Sequence, residues 1–345
     1  MSVREITIVG GGLAGLTLGI MLRKRDVPVS IFEAGHYPRH RVCGEFINGR
    51  GRATLSNIGF TEVLRDAGAI CAGTAAFFAG REVSPVRQLP EPALCISRFV
   101  LDDCLAKYFT TLGGCLRQNE RWRAQEGEGV VHASGRRVRP TDRGWRWFGL
   151  KAHARNVSLS AGLEMHFLRN GYVGICALPE GKVNVCGLFR RSTSINGVAQ
   201  SWREMIIGQP ADSLYRRLKG ADFDENSFTS VAGLSLSPEQ ATDSAECRIG
   251  DAITMIPPVT GNGMSMAFES AALAANPLDE FSHGKCGWRA ARDQIAAACD
   301  ARFKQRLAWA RLLQWFMFNP LAQGWAGAAA IRSDWLYRAL FRNTR

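Results

Sequence analysis

A glycine-rich turn at the start of the chain is the feature that most restricts its fold. Residues 6–9 form a short apolar run, and three glycines follow it with the spacing Gly-x-Gly-x-x-Gly: Gly10, Gly12 and Gly15. Residues 13–25 are apolar on one face and end in three basic residues, as the last turn of a helix does. A second apolar run at residues 27–32 follows. This order predicts a β-α-β unit, and therefore a parallel sheet with helices on its faces.

The turn is typical of a site for the diphosphate of a dinucleotide. Glycines let the main chain approach a diphosphate closely, and the N-terminus of the following helix presents free N–H groups and a partial positive charge to it. The second apolar run closes on Glu33, whose carboxylate can accept hydrogen bonds from both hydroxyls of an adenosine ribose. We therefore predict nucleotide contacts at Leu13 and Ala14 and at Glu33 and Ala34.

A second motif is predicted near residue 250. An apolar run at residues 247–249 leads into Gly250 and Asp251, and a turn precedes the next helix. An acidic residue at a strand end can bind a ribityl hydroxyl. The N–H groups of the turn can face the N1–C2=O edge of an isoalloxazine, which gains negative charge on reduction. The predicted turn residues are Pro258, Gly261, Asn262, Gly263 and Met264.

The two motifs together resemble the FAD-dependent superfamily of para-hydroxybenzoate hydroxylase-type monooxygenases, flavin halogenases and geranylgeranyl reductases. Residues 38–45 are similar to the PRxKxCGE segment of the geranylgeranyl reductase branch, with Arg41 in place of the lysine. Residues 98–105 are similar to the family's R-x-x-x-D-x-x-L stretch, whose arginine contacts the cofactor. The resemblance covers most of residues 1–280. It implies FAD as cofactor, with Arg41 and Arg98 beside it and Cys43 near the flavin face.

The remaining patterns divide the chain into parts. Short β-rich runs separated by Gly, Pro and Asn are typical of an antiparallel sheet; they lie at residues 145–154, 163–168, 172–178 and 183–189. We predict an α/β fold (α+β overall), with a Rossmann-like FAD-binding domain, an inserted antiparallel-sheet substrate domain and a C-terminal helical tail. The predicted segments are residues 1–70, 95–140 and 241–280 for the FAD-binding domain, 71–94 and 141–240 for the substrate domain, and 281–345 for the tail. Helices are expected at residues 100–112 and from about 264 to 275, where Pro277 should stop the second one.

The resemblance implies a redox enzyme without fixing its reaction. We favour a monooxygenase that hydroxylates a hydrophobic aromatic or polyketide-type molecule through a flavin hydroperoxide. The alternative is a reductase of alkene bonds in an isoprenoid-like substrate, with Cys43 as proton donor. A non-catalytic flavoprotein module is a third reading, since one fold hosts many functions. Halogenation is disfavoured for two reasons. Residues 145–150 lack the Ile-Pro of the halogenases' W-x-W-x-I-P motif, and no lysine lies between Lys24 and Lys107, although the catalytic lysine of halogenases follows soon after the Gly-Glu segment.

The electron donor is open. Many hydroxylases of this superfamily carry an Asp-Gly motif linked to both FAD and NAD(P)H, whereas residues 133–136 here read Ala-Ser-Gly-Arg. No second Gly-x-Gly-x-x-Gly follows. NAD(P)H is therefore considered as a donor without a dedicated Rossmann domain.

Two strand residues are the candidate catalytic groups besides Cys43. Lys151 and His153 are two apart, so they share one face of the predicted sheet. If that face lines the cavity, they could bind a phenolate or carboxylate or move a proton. If it is the outer face, they are simply solvated. His166, on another predicted strand, is weighed in the same way. Cys43 itself could also be an ordinary small core residue.

The charge of the chain bears on its partners. The net charge is +12, and residues 281–345 hold eleven Lys/Arg and three Asp, which gives 11 − 3 = +8. Nucleic acid is a poor match for a helical, Trp-rich tail. The uncharged residues 312–331 favour a helical pair over the substrate cavity, and a peripheral membrane or carrier-protein contact is the alternative. The absence of a signal peptide and of a CxxC pair predicts a cytoplasmic protein with reduced thiols and no metal site.

Overall fold

The computed structural model describes residues 3–80, 82–123, 127–136, 138, 141, 144–193, 201–319 and 333–344. In chain order the strands are β1 (Ile6–Val9), β2 (Val29–Glu33), β3 (Phe46–Ile47), β4 (Ile70–Ala79), β5 (Glu82–Val83), β6 (Arg87–Cys95), β7 (Cys115–Gln118), β8 (Val130–His132), β9 (Trp145–Arg155), β10 (Leu163–Leu168), β11 (Gly171–Ala177), β12 (Val183–Ser192), β13 (Asp222–Ala232) and β14 (Cys247–Arg248). The helices are α1 (Leu13–Arg23), α2 (Gly49–Asn57), α3 (Thr61–Asp66), α4 (Arg98–Thr111), α5 (Trp202–Ile207), α6 (Ser213–Leu218), α7 (Gly263–Ser282), α8 (Trp288–Phe318) and α9 (Asp334–Thr344).

The first sheet is parallel, as the β-α-β pattern predicts. Its order is β14-β8-β1-β2-β7, and every pairing between neighbours is parallel. Helix α1 packs against α4 and α7 beside this sheet. Ile8, Leu16 and Phe268 are fully buried there. This apolar core fixes the end of β1, where the glycine turn begins.

The second sheet is larger and is mixed rather than antiparallel. Its order is β13-β9-β12-β11-β10-β4-β6-β3, with β5 paired to β4. The four runs predicted as an antiparallel sheet, which form β9, β10, β11 and β12, do pair antiparallel. In addition, β10 pairs in parallel with β4, which the sequence did not indicate. Parallel strands need a long connection between them. Here the chain between β4 and β10 includes α4 and two strands of the first sheet.

The two faces of the second sheet differ in what covers them. On β9, Leu150, Ala152 and Ala154 point to one side, where they join an apolar cluster with residues of α5 and α6. Lys151 and His153 alternate with them and therefore point to the opposite side. The predicted sharing of one face by these two residues is confirmed.

Helix α7 is longer than predicted, and helix α8 forms the first part of the tail. Helix α7 continues through Pro277 to Ser282, so the expected stop at Pro277 is wrong. Proline removes one main-chain hydrogen bond, but Leu278 and Phe281 beyond it are buried, and their packing offsets that loss. In the tail, α8 ends at Phe318, directly before the Asn-Pro sequence at residues 319 and 320. Residues 320–331 of the uncharged stretch lie outside the described residues.

Among the described residues, no helix is both long enough and apolar enough to cross a bilayer. Three large apolar side chains of the tail are exposed: Leu312, Trp315 and Trp335. The membrane or carrier contact of the tail stays a prediction.

Candidate functional site

A cavity of about 1400 Å³ is lined by residues from both sheets. One end lies at the glycine turn after β1, and the other lies among apolar side chains of the second sheet and of the ends of α8 and α9. The predicted cofactor residues that line it are Gly10, Gly12, Leu13, Ala14, Glu33, Ala34, Arg41, Arg98, Asp251, Pro258, Gly261, Gly263 and Met264. Cys43 lines it as well. Two motifs that are far apart in the sequence therefore meet at one cavity.

The three glycines of the turn have different surroundings. A Cβ atom at Gly10, whose φ is 109°, would lie 2.5 Å from the carbonyl oxygen of Ala133. A Cβ at Gly15 would lie 2.0 Å from the carbonyl oxygen of Gly10. At Gly12 no atom lies within 4 Å of the Cβ position. Gly10 and Gly15 thus permit close packing within the protein, and Gly12 leaves open space towards the cavity.

The N-terminus of α1 opens onto this space. Its N-cap is Gly12, which has no side chain to cap the free N–H groups, and the first turn holds no acidic residue. The N–H groups of a first helical turn have no partner within the helix. Leu13 and Ala14, which begin α1, line the cavity, so this end of the helix can bind an anion.

Glu33 is held beside the turn by main-chain donors. Its carboxylate accepts hydrogen bonds from the N–H groups of Gly11 (2.9 Å) and Gly35 (2.8 Å), and Nη2 of Arg39 lies 2.8 Å from it. Burial raises the pKa of Glu33, but the hydrogen bonds from Arg39 and Gly35 outweigh burial and hold the pKa below its ordinary value. The carboxylate is therefore ionised at neutral pH.

Arginine side chains surround the middle of the cavity. Arg98 is fixed by a bidentate interaction with Asp102, with N–O distances of 2.6 and 2.7 Å. Arg41 lies farther from Glu33, at 3.9 Å, and its Nε atom is buried without a hydrogen-bond partner among the described residues. Burial lowers the pKa of Arg41, and the positive charges of Arg39 and Arg98 lower it further. The site therefore has unsatisfied positive charge.

Trp122 was not identified from the sequence. It lines the cavity beside β2, in edge-to-face contact with Phe32 at a centroid distance of 4.7 Å. Its indole Nε1 is buried and has no hydrogen-bond partner in the described part of the chain. It follows β7, which pairs with β2. That pairing places it near Glu33, and nothing in the sequence around residue 122 indicates the pairing.

Some residues of the second predicted motif line the cavity, and others hydrogen-bond to residues behind its wall. Burial raises the pKa of Asp251, and the charges of Arg136 and Arg98 oppose this rise. Gly250 and Asn262 do not line the cavity. The N–H of Gly250 donates to Ser270 (2.9 Å), and the Asn262 amide bonds to Asn48 and to the carbonyl of Thr344.

The segment at Cys43 is anchored from behind. The side-chain amide of Asn184 donates to the carbonyl of Cys43 (3.0 Å), and the thiol of Cys176 donates to the carbonyl of Gly44 (3.3 Å). No atom lies within 4 Å of a Cβ at Gly44. Burial raises the pKa of Cys43, while Arg98 opposes that rise. The thiol is therefore neutral at the cavity wall.

Neither sequence-based reading of Lys151 and His153 describes their surroundings. Both are buried, so they are not solvated, and neither is among the described residues that line the cavity. They contact Glu45 instead, and Glu45 does line it. From the sequence, Glu45 was identified only as the last residue of the 38–45 segment. Its left-handed main-chain conformation, with a φ of 53°, could not be predicted from the sequence.

His166 points to the opposite face of the second sheet. Its Nε2 lies 3.2 Å from Glu164, and its ring stacks on Phe78. Arg217 completes the group through two contacts of 2.8 Å with Glu164. Burial lowers the pKa of His166, although Glu164 opposes this. His166 is thus separated from the cavity by the sheet.

The far end of the cavity is an apolar chamber. Its lining includes Phe77, Leu163, Met165, Phe167, Tyr172, Leu188, Leu234, Met255, Leu313, Phe316, Met317, Tyr337 and Phe341. The Tyr172 hydroxyl is buried there, and the Val259 amide is turned towards it without completing a hydrogen bond. The C-terminal end of α8 and one face of α9 close one side, so these parts of the tail belong to the chamber wall.

Comparisons with known proteins agree with this architecture. Residues 8–45 match a family model described as an NAD(P)-binding Rossmann-like domain. No curated protein matches the chain. Among solved structures, the flavin-dependent brominase Bmp2 superposes with a TM-score of 0.77 at 17% identity, covering 98% of this chain and 92% of that one.

Two further structures have the same fold. A flavoprotein/dehydrogenase from Cytophaga hutchinsonii has a TM-score of 0.73 at 15% identity, over 91% of this chain and 86% of its own. PqsL from Pseudomonas aeruginosa, described as a probable FAD-dependent monooxygenase, has a TM-score of 0.71 at 16% identity, over 95% and 100%. The chain therefore has the fold shared by flavin-dependent monooxygenases and halogenases.

Proposed function

We propose that this chain is an FAD-dependent oxidoreductase that acts on a hydrophobic small molecule. The observation that carries the proposal is the continuous cavity, which joins a dinucleotide-type turn to an apolar chamber. A cofactor alone would need only the part of the cavity at the glycine turn. The apolar chamber leaves room for a substrate. Ligand sites of this kind are mostly apolar with a few placed polar groups.

The residues present fit FAD along the whole first part. Glu33 and the unpartnered indole N–H of Trp122 would bind the adenosine end. The α1 N-terminus and the unsatisfied positive charge at Arg41 suit a diphosphate. Farther along the cavity, Asp251 would bind the ribityl chain.

The flavin end of the cofactor would lie at the turn before α7. The open Cβ position of Gly44 leaves space beside Cys43 for a flat ring. Gly261 and Gly263 line the same part of the cavity, where the N-terminus of α7 favours negative charge on the pyrimidine edge. Bound there, FAD would supply two-electron redox chemistry and reactivity towards oxygen.

Hydroxylation of an aromatic or polyketide-type substrate is the reaction we favour. The chamber walls are aromatic and aliphatic side chains that can hold a ring by contact and exclude water. The Tyr172 hydroxyl can donate a hydrogen bond to a phenolic or carbonyl oxygen and so orient the ring. Little further side-chain chemistry is needed when the cofactor supplies the oxidising power.

Reduction of an alkene is the second candidate, because a thiol lies at the cavity wall. Cys43 is neutral and could give its proton to a carbon atom. Arg98 beside it would stabilise the thiolate that remains. For either reaction we propose NAD(P)H as electron donor without a dedicated second nucleotide domain.

The deciding experiment follows the oxidation of the reduced holoprotein by oxygen. The protein is loaded with FAD, photoreduced under argon and mixed with oxygenated buffer in a stopped-flow spectrometer, with and without a panel of phenols. A transient absorbance distinct from the reduced and oxidised spectra, with phenol-dependent product formation, is expected for the hydroxylase. Direct reoxidation without a transient, together with anaerobic reduction of an isoprenoid alkene, would favour the reductase. Failure to bind FAD would contradict both.

A further inference from the structure

Four titratable side chains meet beside the cavity wall. They are His40 and Glu45, on the segment between β2 and β3, and Lys151 and His153, on β9. Glu45 and Lys151 have no exposed surface, His153 is 5% exposed and His40 is half-buried. His40 and Glu45 line the cavity, whereas the two β9 residues lie behind them. The group therefore runs from the cavity into the protein.

The contacts of the group determine which ring nitrogen of His40 carries its proton. Lys151 Nζ lies 3.1 Å from Nδ1 of His40 and 3.5 Å from a carboxylate oxygen of Glu45. Nε2 of His153 lies 2.7 Å from the other oxygen of Glu45. A lysine ammonium only donates hydrogen bonds, so Nδ1 of His40 accepts and its ring proton resides on Nε2.

Glu45 is the fixed point of the group. Its Oε1 atom accepts a hydrogen bond from the main-chain N–H of Arg98 (2.8 Å), and its own main chain pairs with Ile96. Burial raises the pKa of Glu45, but hydrogen bonding to His153 and the charge of Lys151 outweigh burial and keep the pKa below its ordinary value. The carboxylate therefore stays anionic and holds the ammonium of Lys151.

Burying a lysine in this way is unfavourable unless its charge is paired and hydrogen-bonded. A structural anchor for Glu45 alone would need only His153 and the N–H of Arg98. Lys151 adds a second feature, which is a transferable proton held one hydrogen bond away from a cavity-lining imidazole. Imidazole can accept on one nitrogen while it donates from the other.

We propose that His40 and Lys151 form a proton relay, in which His40 exchanges protons with the cavity and Lys151 is the buried reservoir. The proposal rests on the proposed function, since both candidate reactions consume or release protons in the cavity. His40 is the proton-transfer residue. Lys151 gives its proton to His40 and takes it back, and Glu45 and His153 are positioning residues that act through these two.

The transfer balances without any electron donor. A cavity group takes the proton from Nε2 of His40, and Lys151 gives one of its ammonium protons to Nδ1. One N–H bond breaks on each residue and one forms on His40, which leaves Lys151 neutral beside the Glu45 carboxylate. A proton from solvent then enters at Nε2, and the Nδ1 proton returns to Lys151.

The surroundings suit this exchange. Burial, together with the charges of Lys151 and His153, lowers the pKa of His40 to about 4, so the ring is neutral and can accept a proton. Burial also lowers the pKa of Lys151, although Glu45 opposes this. The other titratable groups that face the relay are Cys43, Arg98, Cys186 and Asp224. Phe99 stacks on the His40 ring at a centroid distance of 4.6 Å and fixes its plane.

The first test reads the relay directly in the FAD-loaded protein. Histidine labelled with ¹⁵N reports the tautomer and protonation of His40, whose signals are assigned by their loss in His40→Asn. In the wild type we expect the neutral Nε2–H form. In Lys151→Met the pKa of His40 should rise towards 6.5, because a neighbouring positive charge is gone. Lys182→Met, which removes a surface lysine paired with Glu180, should change nothing. An unchanged His40 titration in Lys151→Met would overturn the relay.

The second test keeps the proposal falsifiable if Lys151→Met fails to fold. His40→Asn leaves the Lys151–Glu45 pair intact and removes only the exchange with the cavity. The proton-dependent step of the photoreduced holoprotein should slow by about 100-fold, with a changed solvent deuterium isotope effect. A variant that binds FAD and reacts at the wild-type rate contradicts the relay but not the proposed function. If the wild type itself binds no FAD, the proposed function fails first.

Discussion

Arg98 and Asp102 lie four residues apart on α4 and form two parallel hydrogen bonds, with N–O distances of 2.6 and 2.7 Å. Asp102 is fully buried, and the guanidinium of Arg98 reaches the cavity. One turn of helix thus places a positive charge at the centre of the site and holds it there. A bidentate pair of this kind fixes orientation as well as charge.

Removing the Asp102 charge should weaken both the fold and FAD binding. Asp102→Asn leaves a mostly buried guanidinium without its anion, which typically destabilises a protein by about 3–5 kcal/mol. FAD affinity should fall about tenfold or more, because Arg98 is no longer held towards the cavity. Urea unfolding of the apoprotein and fluorescence titration with FAD measure the two effects. The matched control is Asp103→Asn, the next residue, which pairs with Lys107 on the surface and should change neither quantity. Wild-type FAD affinity in Asp102→Asn would show that Arg98 does not contact the cofactor.

The glycine turn offers a second prediction, because its glycines have different neighbours. In Gly12→Ala the new methyl group meets no protein atom within 4 Å, so the apoprotein should melt at its usual temperature. The methyl group should nevertheless fill the space for the diphosphate and reduce FAD affinity about 10-fold to 100-fold. In Gly15→Ala the Cβ would lie 2.0 Å from a carbonyl oxygen, and overpacking should destabilise the apoprotein by about 1–3 kcal/mol. Thermal unfolding with and without FAD separates the two. Equal FAD affinity in Gly12→Ala and the wild type would refute the proposed cradle.

The sequence predicts the cofactor-type motifs better than the residues around them. Gly10, Gly12 and Glu33 could be identified because a local strand-turn-helix pattern places them together. Trp122 and Glu45 could not, because their positions depend on the pairing of β7 with β2 and on a left-handed turn. Local patterns carry no information on such long-range pairings.

The second sheet shows the same limit. Alternation along β9 correctly predicts that Lys151 and His153 share a face. It does not predict what covers that face, because the covering segment is 108 residues away at Glu45. For the same reason the parallel pairing of β4 with β10 was missed. The expected stop at Pro277 failed for a related reason, since tertiary packing overrode a local helix-breaking signal.

The contact between α7 and α8 should be sensitive to pH. Glu269 of α7 contacts Arg306 of α8 through two interactions of 2.7 Å, and it also contacts Arg302. Burial raises the pKa of Glu269, but Arg306 and Arg302 outweigh burial and hold it below 4.5. A lowered folded-state pKa adds stability that is present above about pH 4.5 and is lost as the pH falls through the folded-state pKa.

Glu269→Gln should therefore lower the free energy of unfolding by about 3–5 kcal/mol at pH 7, because Arg306 stays buried without its anion. The difference from the wild type should shrink as the pH falls below about 4.5. Urea unfolding at several pH values measures it. The control is Glu280→Gln on the same helix, because the Glu280 carboxylate accepts a hydrogen bond from the neutral side chain of Asn276. A difference that is constant with pH would exclude ionised Glu269 as its source.

Tyr172 gives a prediction in which stability and binding change in opposite directions. Its hydroxyl is buried in the apolar chamber without a completed hydrogen bond among the described residues, and burial raises its pKa well above 10. A buried polar group without a partner destabilises the folded state by about 1–3 kcal/mol. Tyr172→Phe should therefore leave the melting temperature of the holoprotein unchanged or raise it. If the hydroxyl orients the substrate, phenolic ligands should bind about tenfold more weakly, as expected for the loss of one hydrogen bond.

Tyr337→Phe is the matched control, since Tyr337 also lines the chamber but its hydroxyl donates to the carbonyl of Gln88 at 3.0 Å. Removing the Tyr337 hydroxyl leaves the Gln88 carbonyl with one hydrogen-bond partner fewer. Tyr337→Phe should therefore lower the melting temperature. Thermal unfolding and equilibrium dialysis with a phenol panel measure both variants. If Tyr172→Phe melts at a lower temperature and binds phenols as tightly as the wild type, its hydroxyl is a structural group. The orientation of the substrate would then have to come from contact with the apolar walls alone.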